Sequence, residues 1–277
     1  MPDISTEQLQ KLIPQIYQKL GLHFDEKKIF FLKTRVAKRM AALRIESARD
    51  YVFMISYADP EGREMQALAN LITTNETYMF REYGQLQAFA NCCLPEVLSA
   101  KLGRRDTTLR IWCAGCSSGE EAYTLAMIVQ EVFPQAQNWD CSIVASDIDE
   151  LMLKRVATAR YGARSVGDVP DEYLKKYLIR DGDEWMVRQR TAALVKPTHL
   201  NLSDRMAMRK MRGFDFVFCR NVLIYFDDLS RKAVVDHFYN ALNPGGYIFL
   251  GHSESVGRVT TAFTLKRVED HLVYKKE

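Results

Sequence analysis

The stretch LRIWCAGCSSGEEAYTLAMIVQEVF, residues 109–133, decides the fold. It starts as a short apolar run, turns through small residues that include Gly115 and Gly119, and continues as an apolar helical stretch from Glu120 to Phe133. A buried strand, a glycine-bearing turn and a crossover helix form the repeating unit of parallel sheets. In doubly wound sheets such a turn lies at the carboxyl end of a strand, where ligands bind.

The same alternation of apolar runs and helical stretches continues toward the C-terminus. The predicted helices begin at about Asp149 and Leu229. Further strands are predicted at CSIVASD (141–147), FDFVFCRN (214–221) and YIFLGH (247–252), and FTLKRV (263–268) and HLVYKK (271–276) predict a closing antiparallel hairpin. We therefore expect an α/β fold, an open Rossmann-like sheet wound by helices.

Two segments depart from this alternation. Residues 1–90 show helical periodicity, with predicted starts at Ser5 or Thr6, Asp25, Ser47 and Pro60. Within the sheet region, IRDGDEWMVR (179–188) turns through Asp181-Gly182 and predicts a small β insertion at about residues 178–200. The predicted domains are thus a helical domain, 1–90, and a sheet domain, 91–277.

Composition excludes several classes of protein. With 277 residues, a net charge of +3 and 47% hydrophobic residues, the chain is neither disordered nor basic overall. Six cysteines are too few for a disulfide scaffold. The N-terminus lacks a signal-peptide pattern, and no apolar run reaches the ~18 residues of a membrane span. We expect a cytoplasmic protein without membrane insertion.

The glycine loop favours a cofactor without phosphate. Its spacing fails the dinucleotide fingerprint, and Glu120-Glu121 at the helix start would repel a pyrophosphate. S-adenosylmethionine carries a sulfonium and no phosphate, and Asp147 at the end of the next strand is placed to accept hydrogen bonds from ribose. Two alternatives stay open: the loop as a plain strand-to-helix turn, and Asp147 as a helix cap.

Cys113 and Cys116 form a C-x-x-C pair in this loop. Zinc would need two further ligands, and the sequence offers no second such pair and no closely spaced histidines. We expect no metal and no redox role.

Residues 27–44 are strongly basic, with seven Lys and Arg and no acidic residue, whereas the rest of the chain holds 31 basic and 35 acidic residues. The apolar positions Ile29, Leu32, Val36, Met40 and Leu43 predict the buried stripe of a helix. A one-signed face favours an acidic partner, although a merely solvated face is the alternative. Nucleic acid is not expected, because aromatic residues do not interleave with the basic ones as stacking would require.

Three strings resemble the motifs of the bacterial chemotaxis receptor methyltransferases of the CheR type: TTNETYMFRE (73–82), CAGCSSGEEAY (113–123) and FCRNVLIYF (218–226). ASDID (145–149), LNL (200–202) and LNPGGYIFLGHSES (242–255) support the resemblance. It implies a Rossmann-like S-adenosylmethionine-dependent methyltransferase sheet with a small inserted β-subdomain and an N-terminal all-helical domain. The implied activity is methylation of glutamate side chains on chemoreceptor cytoplasmic helices, with S-adenosylhomocysteine as the other product.

The resemblance also implies the site residues. Arg81 and Tyr225 would be catalytic, although without the family a surface charge and a core side chain are the simpler interpretations. The implied cofactor-binding residues are Asn75, Thr77, Arg81, Gly115, Glu121, Asp147, Ile148, Asn201, Leu202, Arg220 and Asn221. Receptor-binding residues are expected in the basic segment, at Lys28, Arg35, Lys38 and Arg39.

The expected partner is the acidic helical bundle of a chemoreceptor, and the protein is expected to be a monomer. The short Asp181-Gly182 turn differs from the longer glycine-bearing loop of members that bind a receptor's C-terminal pentapeptide, so we expect no pentapeptide dependence. A methyltransferase acting on another protein or a small molecule, and a non-catalytic signalling adaptor, remain as alternatives.

Overall fold

The computed structural model describes residues 4–255 and 260–277. The N-terminal part contains four helices. Ser47 caps the third, whereas the second follows a 3-10 turn, Glu26–Lys28, that Asp25 caps. Ser5 caps the first helix reciprocally with Gln8, and the first helix ends at Gly21. The helices are α1 (Thr6–Leu20), α2 (Ile29–Ala42), α3 (Ala48–Tyr57) and α4 (Arg63–Ile72).

The start of α4 differs from the prediction. Pro60 was expected to begin this helix, but the Asp59 carboxylate accepts hydrogen bonds from the backbone N–H groups of Glu64 and Met65. The chain therefore turns through Pro60 and becomes helical only at Arg63. A side-chain acceptor before the helix determined its start more strongly than the proline did.

The four helices pack around their own apolar cluster, which runs from Ile4 to Ile72. Leu32, Val36 and Met40 are buried in it as the helical spacing predicted. Leu43 is not, because α2 ends at Ala42 and leaves this side chain 38% exposed.

The next helical stretch packs on the sheet instead. It consists of α5 (Tyr83–Ala88), a π turn (Phe89–Cys93) and α6 (Leu94–Gly103). Phe89 lies against the rings of Phe216, Phe218 and Phe249. The packing partner thus changes between Ile72 and Met79, earlier than the predicted limit at residue 90, because these helices cover the sheet.

Ten strands and seven further helices form the rest of the chain that is described. The strands are β1 (Thr108–Ala114), β2 (Asp140–Asp147), β3 (Arg160–Gly162), β4 (Leu178–Asp181), β5 (Glu184–Val187), β6 (Val195–His199), β7 (Phe214–Cys219), β8 (Leu242–Leu250), β9 (Thr264–Val268) and β10 (His271–Lys275). The helices are α7 (Glu120–Val132), α8 (Glu150–Thr158), α9 (Ala163–Val166), α10 (Asp171–Tyr177), α11 (Gln189–Ala192), α12 (Arg205–Met208) and α13 (Asp228–Ala241).

The main sheet has seven strands in the order β6-β2-β1-β7-β8-β10-β9. The pairs from β6 through β8 are parallel, whereas β10 is antiparallel to both β8 and β9. The strand order reverses between β1 and β7, which makes the carboxyl ends of these two strands a topological switch point. No helix in the described ranges is both long and apolar enough to span a membrane.

The small sheet is larger than the predicted hairpin and starts earlier in the chain. It has three strands in the order β3-β5-β4, and β3 begins at Arg160. The predicted insertion, 178–200, also contains β6, which pairs with β2 in the main sheet. The sequence VKPTH gave no strand signal because β6 is an edge strand, half-exposed and interrupted by Pro197.

Candidate active site

A cavity of about 300 Å³ lies at the switch point of the main sheet. Its volume is at the lower end of the range for small-molecule sites. The chain segment that links α4 to α5 and the end of α1 form its other walls. Its lining includes all twelve residues predicted for cofactor binding or catalysis: Asn75, Thr77, Arg81, Gly115, Glu121, Asp147, Ile148, Asn201, Leu202, Arg220, Asn221 and Tyr225.

The loop after β1 forms one wall of the cavity. Its first residue, Gly115, has a φ of +76°, and a Cβ there would lie 2.5 Å from a methyl group of Val222. The backbone N–H groups of Gly115 and Cys116 both donate to the Ser146 carbonyl oxygen, at 2.8 and 2.9 Å. Glycine is therefore required for the loop to lie between the ends of β2 and β7.

Asp147, the last residue of β2, is buried beside this loop. Its carboxylate accepts hydrogen bonds from the backbone N–H groups of Ser117, at 2.7 Å, and Asp149, at 2.9 Å. Burial raises the pKa of the Asp147 carboxyl, although these N–H groups act in the opposite direction. Asp149, not Asp147, caps α8, so Asp147 remains as an acceptor at the cavity wall.

Arg220 holds three parts of the wall together. Its side chain is 3% exposed, and its guanidinium lies 3.0 Å from carboxylate oxygens of both Glu82 and Glu121. It also donates to the Arg81 carbonyl oxygen at 2.6 Å. Glu82 has a φ of +55°, a strained conformation that this ion pair helps to stabilise. Two carboxylates around one guanidinium leave this wall with a negative charge.

The two residues predicted to be catalytic are both half-buried. Arg81 donates from one guanidinium nitrogen to the Glu76 carbonyl oxygen at 3.0 Å. Tyr225 ends a short 3-10 turn after β7 and packs against the apolar cluster of the helical domain and against a second cluster, on the sheet, that contains Trp112 and Phe238. Lys28 of the helical domain lies with its ammonium 5.8 Å from the centre of the Tyr225 ring.

Three of the predicted cofactor residues also connect the cavity to the helical domain or the link that follows it. The Asn201 amide donates to the Lys19 carbonyl oxygen at 2.7 Å. The Ile148 carbonyl oxygen accepts from the Gln66 amide at 2.6 Å, and the Asn75 amide donates to the Asp149 carboxylate at 2.9 Å. These hydrogen bonds therefore fix the helical domain and the link against the sheet domain beside the cavity.

Some site residues were missed from the sequence. Leu20 and Leu22 of the helical domain line the cavity, but in the sequence they resemble any apolar residues near a helix end. Glu254 lies behind the cavity wall and accepts hydrogen bonds from the backbone of residues 221–224. It is part of the GHSES string, so a signal existed, but the string alone assigns it no role.

The cysteines of the loop are packed as neutral thiols. Burial raises the pKa of both Cys113 and Cys116 well above the ordinary value. The Cys113 thiol donates to the Glu121 carboxylate at 3.1 Å. Residues 4–255 and 260–277 contain no group of three or more His, Cys, Asp or Glu side chains that could hold a metal ion.

The predicted receptor-binding residues fall into two groups. Lys38 is exposed, and Lys28 and Arg35 are half-buried, Arg35 stacking on Phe31 at 4.7 Å. Arg39 instead forms an ion pair with the buried Glu64, at 2.6 Å, and this hydrogen bond raises the pKa of Arg39. The sequence analysis expected Arg39 to bind the receptor, whereas in the structure its guanidinium is paired with Glu64 on α4, a partner that a helical wheel of α2 cannot reveal.

The lining fits S-adenosylmethionine better than a phosphate-bearing cofactor. The carboxylates of Glu121 and Asp147 suit a cationic group and ribose hydroxyls. Arg81 has a guanidinium with donors left for a carboxylate after its one bond to Glu76. The leucines from the helical domain offer apolar contact for an adenine ring.

Comparison with known proteins points the same way. The family model for the CheR methyltransferase all-alpha domain matches residues 7–73, and the model for the CheR methyltransferase SAM binding domain matches residues 75–271. Chemotaxis protein methyltransferase 2 of Vibrio cholerae is 38% identical, over 94% of this chain and 89% of that protein. Chemotaxis protein methyltransferases of Borreliella burgdorferi and Pseudomonas putida are 32% and 31% identical, each over 92% of this chain and at least 90% of theirs.

Proposed function

The chain belongs to the CheR methyltransferase family and is an S-adenosylmethionine-dependent methyltransferase, and from this premise we propose that it methylates glutamate side chains on the cytoplasmic helices of chemoreceptors. The product would be a glutamate methyl ester that serves sensory adaptation. The observation that carries the proposal is the single cavity lined by all twelve expected residues. The reaction would take place in the cytoplasm, with the protein acting as a monomer.

The residues around the cavity divide the work of holding the cofactor. Asp147 would accept hydrogen bonds from the ribose hydroxyls, and Glu121 would face the cationic methionine portion. Asn201 and Leu202 would flank the adenine, below the leucines of the helical domain. When bound, S-adenosylmethionine supplies an electrophilic methyl group.

The acceptor needs no general base. A glutamate carboxyl has an ordinary pKa of about 4.3 and is therefore ionised at neutral pH. Catalysis then consists mainly of holding the carboxylate in line with the methyl group, which can contribute roughly 7–11 kcal/mol. Arg81 would bind the incoming carboxylate by a charge-assisted hydrogen bond, and Tyr225 would position it from the opposite wall.

The acidic receptor bundle would approach along α2. We call Lys28, Arg35 and Lys38 the basic face. Lys28 lies over the Tyr225 ring, so the basic face reaches the cavity mouth at this end. A helical partner that carries glutamates would be attracted by this face while presenting one carboxylate to Arg81 and Tyr225.

A receptor-tail pentapeptide would not be required. The hairpin of β4 and β5 turns through Gly182 and Asp183 between the paired residues Asp181 and Glu184, too short a loop to add a cradle for a peptide. Calorimetry with a receptor-tail peptide tests this point, and measurable binding would show that tethering does occur.

The decisive experiment incubates the protein with labelled methyl donor and a receptor cytoplasmic fragment. We expect base-labile carboxyl methyl esters on the fragment. Arg81→Ala should reduce turnover by roughly 100-fold or more with only a small fall in the thermal midpoint. Within the described residues the contacts of the Arg81 guanidinium are one hydrogen bond, to the Glu76 carbonyl oxygen, and the ring of Tyr78, and neither contact is buried.

The matched control is Arg164→Ala. Arg164 is an exposed arginine that pairs with the side chain of Glu76, the residue whose carbonyl oxygen accepts from Arg81. The Arg164→Ala protein should methylate the receptor at the wild-type rate. Label that resists base treatment, or wild-type turnover in Arg81→Ala, would contradict the proposed function.

A further inference from the structure

Glu254 binds the backbone of the chain segment that follows β7. One carboxylate oxygen accepts from the backbone N–H of Asn221 and from that of Gly251, both at 2.8 Å. The other accepts from the backbone N–H of Ile224 at 3.3 Å. This carboxylate therefore joins the ends of β7 and β8, although Glu254 itself does not line the cavity.

The backbone at Gly251 lies unusually close to Asn221 and to the Glu254 carboxylate. Adding a Cβ to Gly251 would place it 2.8 Å from both the Asn221 nitrogen and a Glu254 carboxylate oxygen. Asn221 has a φ of +61°, a conformation that costs free energy in a non-glycine residue. The hydrogen bond that its N–H donates to Glu254 compensates for part of this strain.

The segment held by Glu254 forms one side of the cavity. Six of its residues line it: Arg220, Asn221, Val222, Ile224, Tyr225 and Phe226. We propose that Glu254 is a positioning residue, which sets the cofactor affinity and the place of Tyr225 through the backbone of residues 221–224. This inference deepens the proposed assignment of the cavity and rests on it.

The chemistry requires an ionised carboxylate. Three backbone N–H groups converge on it, and a carboxylate can accept all three, whereas an amide in its place presents an NH₂ donor to at least one of them. Glu254→Gln therefore keeps the size of the side chain but loses at least one of the three hydrogen bonds from the backbone N–H groups.

The test is calorimetric titration of S-adenosylhomocysteine into the full-length protein. We expect Glu254→Gln to weaken binding by about tenfold or more, with the stoichiometry of binding sites preserved. A purely structural role would lower the fraction of competent protein, and hence the stoichiometry, while leaving the Kd of the folded fraction unchanged.

Asp215→Asn provides the matched control. Asp215 is also a buried carboxylate that accepts a backbone N–H, from Arg110 at 3.0 Å, but it lies on β7 far from the cavity end of that strand. It should lower the thermal midpoint and leave the Kd within twofold of wild type. If Glu254→Gln loses its cooperative thermal transition, Glu254→Asp, which keeps the charge but withdraws the carboxylate by one methylene group, is titrated instead.

The possible results test the positioning role of Glu254 and the assignment of the cavity to the cofactor separately. An unchanged Kd in Glu254→Gln, or in Glu254→Asp where that variant replaces it, would overturn the positioning role. A tenfold loss in Asp215→Asn as well would also overturn it, because the effect would then be general destabilisation. Failure of the wild-type protein to bind S-adenosylhomocysteine would overturn the cavity assignment, and the positioning role with it.

Discussion

The cavity wall and the basic face place charged groups in opposite ways. At the cavity, Arg220 and Asp147 are buried and each has two or more fixed partners. On α2, Lys38 points to solvent and Arg35 stacks on its own helix. The cavity is thus preorganised for one ligand, whereas the basic face is suited to long-range attraction, which tolerates variation in the partner.

The comparison also shows where loss of one charge should be costly. A buried charge whose partner is removed keeps its desolvation penalty, while an exposed charge is rehydrated. Variants that remove one charge from each region should therefore differ by several kcal/mol in the free energy of unfolding.

Arg220→Met should have the largest effect. It leaves the carboxylates of Glu82 and Glu121 near each other without their shared cation, at a cost of about 3–5 kcal/mol in the free energy of unfolding. Denaturant titration measures it. Arg160→Met, which removes an arginine that also pairs with two carboxylates but is 40% exposed, should cost much less, because water rehydrates the two carboxylates. Equal losses of unfolding free energy in Arg220→Met and Arg160→Met would contradict the proposed difference between buried and exposed charges.

Arg39→Met should come next, at about 2–3 kcal/mol, because the Tyr51 hydroxyl would then be the one close side-chain donor to the buried Glu64 within the part of the chain that the structure describes. Its neighbour Lys38→Met should be within about 0.5 kcal/mol of wild type. Thermal or denaturant unfolding of both variants decides it. A stable Arg39→Met protein with impaired receptor methylation would return Arg39 to the basic face.

Asp147→Asn should weaken S-adenosylhomocysteine binding by about tenfold. It should also cost about 1–3 kcal/mol of stability, because the amide oxygen accepts one of the two backbone N–H groups and the NH₂ group faces the other.

The affinity of the wild-type protein for S-adenosylhomocysteine should also depend on pH. Burial raises the pKa of Asp147, so its carboxylate is protonated at a higher pH than an ordinary one. Binding should fall as the pH decreases through that pKa and be steady above it.

Titrations of both proteins from acidic to neutral pH test the assignment. In Asp147→Asn the acidic fall should become shallower, because one ionisable acceptor is gone. An identical acidic fall in the variant would show that another group is responsible, for which the buried carboxyl of Glu254, whose pKa is also raised by burial, is the clearest candidate.

The smallest effect is expected from Lys38→Glu on the basic face. It should slow receptor methylation by about threefold at low salt, and the difference should shrink as salt is added. The Kd for S-adenosylhomocysteine should not change. Lys11→Glu, the same change at an exposed lysine on α1, is the control, and an equal slowing there would show that only net charge matters.

How much was predictable follows from the range of each interaction. The strand, loop and helix around Gly115 are local, and their pattern predicted them. Asp147 was placed because strand ends meet at one edge of a parallel sheet. The role of Arg39 depends on Glu64, 25 residues away on another helix, and no periodicity within α2 reveals such a partner.

Glu254 illustrates a second limit. Its hydrogen bonds go to backbone N–H groups, which every residue but proline offers, so no residue type at positions 221–224 identifies it. The edge strand β6 is a third, because its pairing needs only backbone groups and its side chains are mixed. Such features become visible only when the backbone is seen.

The shared wall of the cavity has a thermodynamic consequence. Leu20 and Leu22 line the cavity from the helical domain, and Asn201 of the sheet domain donates to the Lys19 carbonyl oxygen, so a cofactor bound in the cavity would contact both domains. A ligand held in this way stabilises the docked arrangement by RT ln(1 + [L]/Kd). Rising cofactor concentration should therefore merge the melting of the helical bundle and the sheet into one transition. The concentration of the methyl donor would then determine how strongly the unfolding of one domain is coupled to that of the other.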